Sequence, residues 1–154
     1  MKFYIGVDGG GTKTAYALFD ENKNVLAEHE GPASNHENME GSFPEAAGII
    51  ADGVKSVAAK GNIALADVDG MLMGLAGIDH QYQHDEMTKR LLDYGLENFE
   101  IYNDGFIVVK AGSTGPAAIG FNCGTGTCCN AIDSDGKMLQ LAGLSEYSGD
   151  VGNG

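Results

Sequence analysis

The chain has 154 residues, 24 of them glycine and 3 proline, with 43% hydrophobic and 20% charged residues. Glycine at no fixed period with so little proline excludes collagen and Pro/Gly-rich disorder, and the apolar content suffices for an ordinary core. Nine basic against 22 acidic residues give a net charge of −13, which disfavours nucleic acid and anionic lipid as partners but leaves a phosphorylated ligand open, because backbone N–H groups and a cation hold phosphate without a basic patch.

Lys2 to Val7 reads as a strand that runs into Asp8 and three glycines. Thr14 to Phe19 and Asn24 to His29 follow as strands, so the first hundred residues open on a β-meander. Ser42 starts a helix, with Glu45 at capping-box spacing, and Phe43, Ala47, Ile50, Val54, Val57 and Ala58 recur at helical period up to Lys60. Gly70 to Leu75 reads as a buried strand. Asp79 is placed to cap a helix that ends near Tyr94 and Gly95. Phe99 to Tyr102 is a further strand. Phe106 to Val109 is ambiguous, since its β-branched content favours strand and its place after Asp104 favours a short helix. Pro116 to Asn122, Cys128 to Ile132 and Lys137 to Leu141 complete a second meander, and Gly149 to Gly154 is a glycine turn. The pattern predicts an α/β lobe with a mixed sheet over 1–114 and the start of a second lobe over 115–154, its strands without helices to cover them.

Two turns carry candidate chemistry. Asp8-Gly9-Gly10-Gly11-Thr12-Lys13-Thr14 lacks the Lys of a Walker A loop at Thr12, and the third glycine of a dinucleotide fingerprint at Thr14. A tight hairpin is the plain alternative, but three successive glycines exceed what a hairpin requires. Small residues with N–H groups at a turn make a cradle for phosphate oxygens, and Asp8 is a hard ligand suited to Mg2+ through water. Gly124-Thr125-Gly126-Thr127 repeats the kit without the acid. Cys123, Cys128 and Cys129 have no cluster spacing and are expected as buried structural thiols. His80 and His84, four apart, read as a solvated helix face. No apolar run nears the roughly 20 residues of a membrane span, and no secretory h-region follows Met1, so a cytoplasmic protein is expected.

The stretch Tyr4 to Thr14 (Tyr-Ile-Gly-Val-Asp-Gly-Gly-Gly-Thr-Lys-Thr) resembles the first phosphate motif of the N-acetylglucosamine kinase and BadF/BadG/BcrA/BcrD ATPase family, within the sugar kinase, Hsp70 and actin superfamily. Gly31 to His36 resembles its asparagine loop, Gly74 to Gly77 a strand end, Asn103-Asp104 the segment of the catalytic aspartate, and Gly124 to Thr127 the second phosphate motif. Gly149 to Gly154 resembles Gly-Asp-Glu-Gly-Ser-Gly. Where kinase members carry Gly-Gly-Trp-Gly, this chain reads Ala142-Gly143-Leu144-Ser145.

The resemblance implies an RNase H-like, actin-like ATPase lobe and part of a second, with ATP and Mg2+ in the cleft. It implies that Asp8 organises Mg2+. Gly10, Gly11, Thr12 and Lys13, with Gly124, Thr125 and Gly126, would hold phosphates. Asp104 would take the proton of a sugar hydroxyl, and Asn35, Thr127 and Asp150, with Asp104, would contact sugar. An ATP-dependent kinase of N-acetylglucosamine or a related amino sugar or hexose is the expected activity. An ATPase module that drives a partner protein and an inactive N-terminal fragment are the alternatives. Sugar, ATP, and C-terminal lobe residues beyond Gly154 are the expected partners, with a homodimer left open.

Overall fold

The computed structural model describes residues 1–123 and 127–140. The chain divides into two compact units, Met1–Asp104 and Gly105–Gly154.

The first unit is built on a five-stranded sheet: β1 (Phe3–Gly9), β2 (Lys13–Asp20), β3 (Val25–Pro32), β4 (Gly70–Leu75) and β5 (Phe99–Asn103), in the order β3-β2-β1-β4-β5. The meander β1–β3 is antiparallel, and β4 and β5 add in parallel to β1. Period-2 alternation turns Ile5, Val7, Tyr16, Leu18, Met71, Met73, Leu75 and Ile101 to one buried face. Helix α1 (Ser42–Lys60) covers this face along β1–β3, and α2 (Gln81–Asp93) lies beside it over β5. The face α1 presents is rich in alanine: Ala46, Ala47, Ala51 and Ala58 are buried with Ile50, Val54 and Val57. Small side chains let the helix axis approach the sheet closely. At Gly53 the approach is tightest, since a Cβ there would fall 2.0 Å from the Tyr16 ring. Order and direction are those of an RNase H-like lobe, as the family resemblance implies.

Element ends differ from the reading by pattern. β1 continues through Asp8 and Gly9, because both pair with β2 and β4. The cap of α1 is Gly41, not Ser42, and Glu45 reaches back to its N–H at 3.0 Å. Phe106 to Val109 is helical, within α3 (Asp104–Gly112).

In the second unit β6 (Ala118–Cys123), β7 (Thr127–Ile132) and β8 (Met138–Gln140) form an antiparallel sheet in that order. This meander was expected to lack a helix. Instead α3 packs on it: a Cβ at Gly120 would lie 2.7 Å from Val109 Cγ2. On the other face Ile119, Phe121 and Leu139 are exposed. Among the described residues no helix is long and apolar enough to cross a membrane.

Candidate functional site

β1, β3, β4 and β5 run in one direction, and register lines up their carboxyl ends. Gly9 pairs with Thr14 and Leu75, Thr14 with Gly31, and Leu75 with Asn103. Three loops and one helix start therefore leave one edge of the sheet: Gly10–Thr12, the segment after Pro32, the segment after Leu75, and α3 at Asp104. In open α/β sheets ligands bind outside the carboxyl ends of the strands. With strands about 4.8 Å apart, the ends of β1 and β5 stand about 10 Å from each other, the width of a small ligand.

The three glycines of the first turn do different work. Gly9 is buried, and a Cβ on it would come to 2.6 Å from Ser34 Oγ and 2.7 Å from Leu75 Cδ2. Its carbonyl accepts from the Ala76 N–H at 2.8 Å, so it seals β1 against β4 and the loop beyond. Gly10 closes the turn. Its N–H donates to the Lys13 carbonyl at 3.0 Å, and its own carbonyl accepts from Ser34 N–H at 3.1 Å. The N–H of Gly10, a residue expected to hold phosphate, is thus occupied within the hairpin. Gly11 is exposed at the tip, its φ is not positive, and a Cβ there would meet only Asn38 Nδ2, at an ordinary 3.5 Å. Nothing inside the described protein requires glycine at 11. A closely approaching ligand would.

Thr12 is exposed beside Gly11, and Asp8 is exposed on the face of β1 away from α1. The Lys13 ammonium pairs with Glu30 at 2.5 Å in solvent. That hydrogen bond and charge, with Asp8 adding a smaller pull, hold the Lys13 pKa above its usual value, so Lys13 stays cationic. Exposed pairs of this kind are weak and screened by salt, so a phosphate can compete for the lysine.

Sequence reasoning missed the anchor beneath this turn. Thr14 is fully buried, and its hydroxyl bonds the Pro32 carbonyl at 2.7 Å and Ser34 Oγ at 2.8 Å. Those bonds fix the start of the asparagine loop against β2. A threonine at an inward-facing strand position was the available signal. Asn35 caps a single 3-10 turn, His36–Asn38, its Oδ1 accepting from the Glu37 N–H at 3.0 Å. His36 is buried, stacked on Phe43 with ring centroids 3.8 Å apart, and its Nε2 lies 2.8 Å from the Gly77 carbonyl oxygen. Gly77 has φ +81°, and a Cβ on it would reach 2.6 Å from Asn35 Oδ1. The Gly74-Leu75-Ala76-Gly77 strand end therefore folds directly onto the asparagine loop.

Asp104 is the first residue of α3 and half-buried, where a carboxylate is favoured by the helix dipole. Its neighbour Asn103 is buried and donates from Nδ2 to Asp79 Oδ1 at 2.8 Å. Asp79 is thus not the cap of α2. His80 holds that position, and the Gln83 side chain serves the open N–H groups there.

In the second unit Thr127 opens β7 opposite Cys123, its hydroxyl 3.9 Å from Cys123 Sγ. Gly124, Thr125, Gly126 and Asp150 lie outside the described residues, as does the expected turn over 149–154. Of the thiols expected to be buried, only Cys129 is. Cys128 is half-buried and Cys123 exposed. His80 is exposed and His84 half-buried.

Among the described residues no group of three or more His, Cys, Asp or Glu could cage a metal. Mg2+ does not need one. It keeps several waters and is held by one or two carboxylates together with substrate phosphates. An exposed strand-end carboxylate beside an open glycine tip fits that mode.

The BadF/BadG/BcrA/BcrD ATPase family matches residues 5–154. An N-acetyl-D-glucosamine kinase of Dictyostelium discoideum is 29% identical over 99% of this chain and 50% of its own length. The chain spans about half the length of the curated relatives it matches. Among solved structures, a Chromobacterium violaceum protein provisionally assigned as an N-acetylglucosamine kinase superposes with TM-score 0.75, at 23% identity, over 97% of this chain and 52% of that one. A ROK family glucokinase from Streptomyces griseus, in complex with glucose and AMPPNP, superposes with TM-score 0.59, at 22% identity, over 89% and 46%. These two likenesses establish the actin-like fold.

Proposed function

The chain belongs to the BadF/BadG/BcrA/BcrD ATPase family, and on that premise we propose that it supplies the first lobe and part of the second lobe of an ATP-dependent sugar kinase. N-acetylglucosamine, or a related amino sugar or hexose, is the acceptor. The observation that carries this reading is Gly11: a glycine with ordinary φ and open space, at the tip of a turn whose other glycines are explained by the protein itself.

In this reading the N–H groups of Gly11 and Thr12, the Thr12 hydroxyl and Lys13 take phosphate oxygens. Gly10 shapes the turn that presents them. Asp8 holds Mg2+ through water, and the ion supplies charge neutralisation on the phosphates. Asn35, from the loop anchored by Ser34, fixes a sugar hydroxyl, and Asp104 accepts the proton from the hydroxyl that attacks. Phosphoryl transfer asks little more than this, because positioning and electrostatics carry most of its catalysis. For Gly124, Thr125 and Gly126 the proposed role is phosphate binding, and for Thr127 and Asp150 sugar binding, as the family resemblance implies. The protein works in the cytoplasm.

The test is ADP release by the intact protein with a panel of hexoses and hexosamines. Turnover is expected to depend on one of these sugars and to fall about 10²- to 10⁴-fold in Asp104→Asn, the range for losing a general base. ATP turnover indifferent to every sugar and altered by a partner protein would favour the ATPase module and overturn the kinase.

A further inference from the structure

The loops after β3 and β4 and the end of β5 are joined by one run of hydrogen bonds whose centre is Gln83, a residue with no role in the reading above. Gln83 lies in the first turn of α2 and is 3% exposed. Its Oε1 accepts from Asp79 N–H at 2.9 Å and from His80 N–H at 2.8 Å. Its Nε2 donates to Glu37 Oε1 at 3.4 Å. The orientation of the amide is fixed by chemistry, since two backbone N–H groups only donate and a carboxylate only accepts.

From Glu37 the run continues through its own N–H to Asn35 Oδ1 at 3.0 Å. From Asp79 it continues through Oδ1, which accepts from Asn103 Nδ2 at 2.8 Å, and Asn103 is bonded in the chain to Asp104. Every member lies within Met1–Asp104. Glu37, Asp79 and His80 are exposed, but the Gln83 amide is buried, so breaking its bonds leaves that amide without partners away from water.

We propose that Gln83 is a positioning residue that ties the asparagine loop to the aspartate at the end of β5, so that the sugar-holding and proton-accepting groups keep one mutual geometry. This rests on the kinase reading for its consequence, but not for its existence. Gln83→Glu keeps the acceptor for Asp79 and His80 and turns a carboxylate on Glu37. Glu37→Gln alone keeps the bond, since an amide oxygen still accepts from Gln83. The double variant restores it with donor and acceptor exchanged.

In the intact protein, Gln83→Glu is expected to lower kcat/KM for sugar about 2- to 30-fold, the range for coupling residues, with KM for ATP unchanged. The double variant should recover most of that loss. Hydrogen exchange on the full chain, which needs no activity, is expected to quicken in Gln83→Glu at both 35–38 and 103–105. If Gln83→Glu does not fold, Glu37→Ala cuts the same bond from an exposed position.

Wild-type kinetics in Gln83→Glu beside an inactive Asp104→Asn would overturn the tie and leave the kinase standing. Full activity in Asp104→Asn would overturn the kinase. The exchange data would then decide the tie alone, and unchanged exchange at 103–105 would refute it.

Discussion

Alanine substitutions at Gly9 and Gly11 separate a glycine needed by the protein from one needed by a ligand. At Gly9 the added methyl would stand 2.6 Å from Ser34 Oγ and 2.7 Å from Leu75 Cδ2. Ordinary carbon contacts are about 3.5–4.0 Å, so both sides must give by roughly 1 Å. Ser34 Oγ is held by the Thr14 hydroxyl, and Leu75 is fully packed. Overpacking costs about 1–3 kcal/mol and a broken hydrogen bond about 1 more, so Gly9→Ala should destabilise by about 2–4 kcal/mol. At about 2–4 °C per kcal/mol for a chain of this size, Tm falls by about 4–16 °C.

At Gly11 the methyl meets only Asn38 Nδ2, at 3.5 Å. Stability should hold or rise by about 0.4–1 kcal/mol, because alanine restricts the unfolded chain. The same methyl crowds any phosphate at the tip. Losing one hydrogen bond to a charged group, about 1.5–3 kcal/mol, weakens nucleotide binding about 10- to 100-fold. Thermal unfolding followed by circular dichroism measures the first pair of numbers, and calorimetry with ATP on the intact protein the second. If Gly11→Ala costs as much stability as Gly9→Ala, or binds nucleotide normally, the division of labour drawn for this turn is wrong.

Gly53→Ala should be among the most destabilising single changes in α1, about 3 kcal/mol by overpacking, because its methyl would fall 2.0 Å from Tyr16 Cζ. Urea unfolding measures this, and Tyr16→Leu in the same chain should return part of the loss. Tyr16 also sets an alkaline limit. Burial pushes its phenol up to about 12, so ionisation is harder in the folded chain than in the unfolded one. Its contribution is therefore intact below pH 10 and is lost as pH rises from 10 towards 12, by at most about 3 kcal/mol. Tyr16→Phe should flatten that part of the stability profile. Unfolding midpoints that stay constant from pH 9 to 12 in the wild type would contradict it.

What the order of residues determined by itself was the strand character of the apolar runs in β1, β2 and β4, the helical period of α1, and the runs of glycine that end strands. Local chemistry suffices for these, since each rests on neighbours in the chain. That sufficed for the lobe, and the Asp8 to Thr14 turn carries the resemblance to the family that matches. Three things needed the tertiary structure. The helical state of Phe106 to Val109 depends on Val109 reaching Gly120, which β-branched propensity opposes. The roles of Gly9, Gly10 and Gly11, identical as letters, diverge because Ser34, Leu75 and Lys13 crowd the first two and leave the third open. Asp79 reads as a helix cap by type and position. In the fold its carboxylate accepts from Asn103, 24 residues away, and Gln83 takes over the cap. The period of a sequence fixes which face a residue takes. Which groups meet at the end of a sheet is fixed only when register brings distant strands side by side.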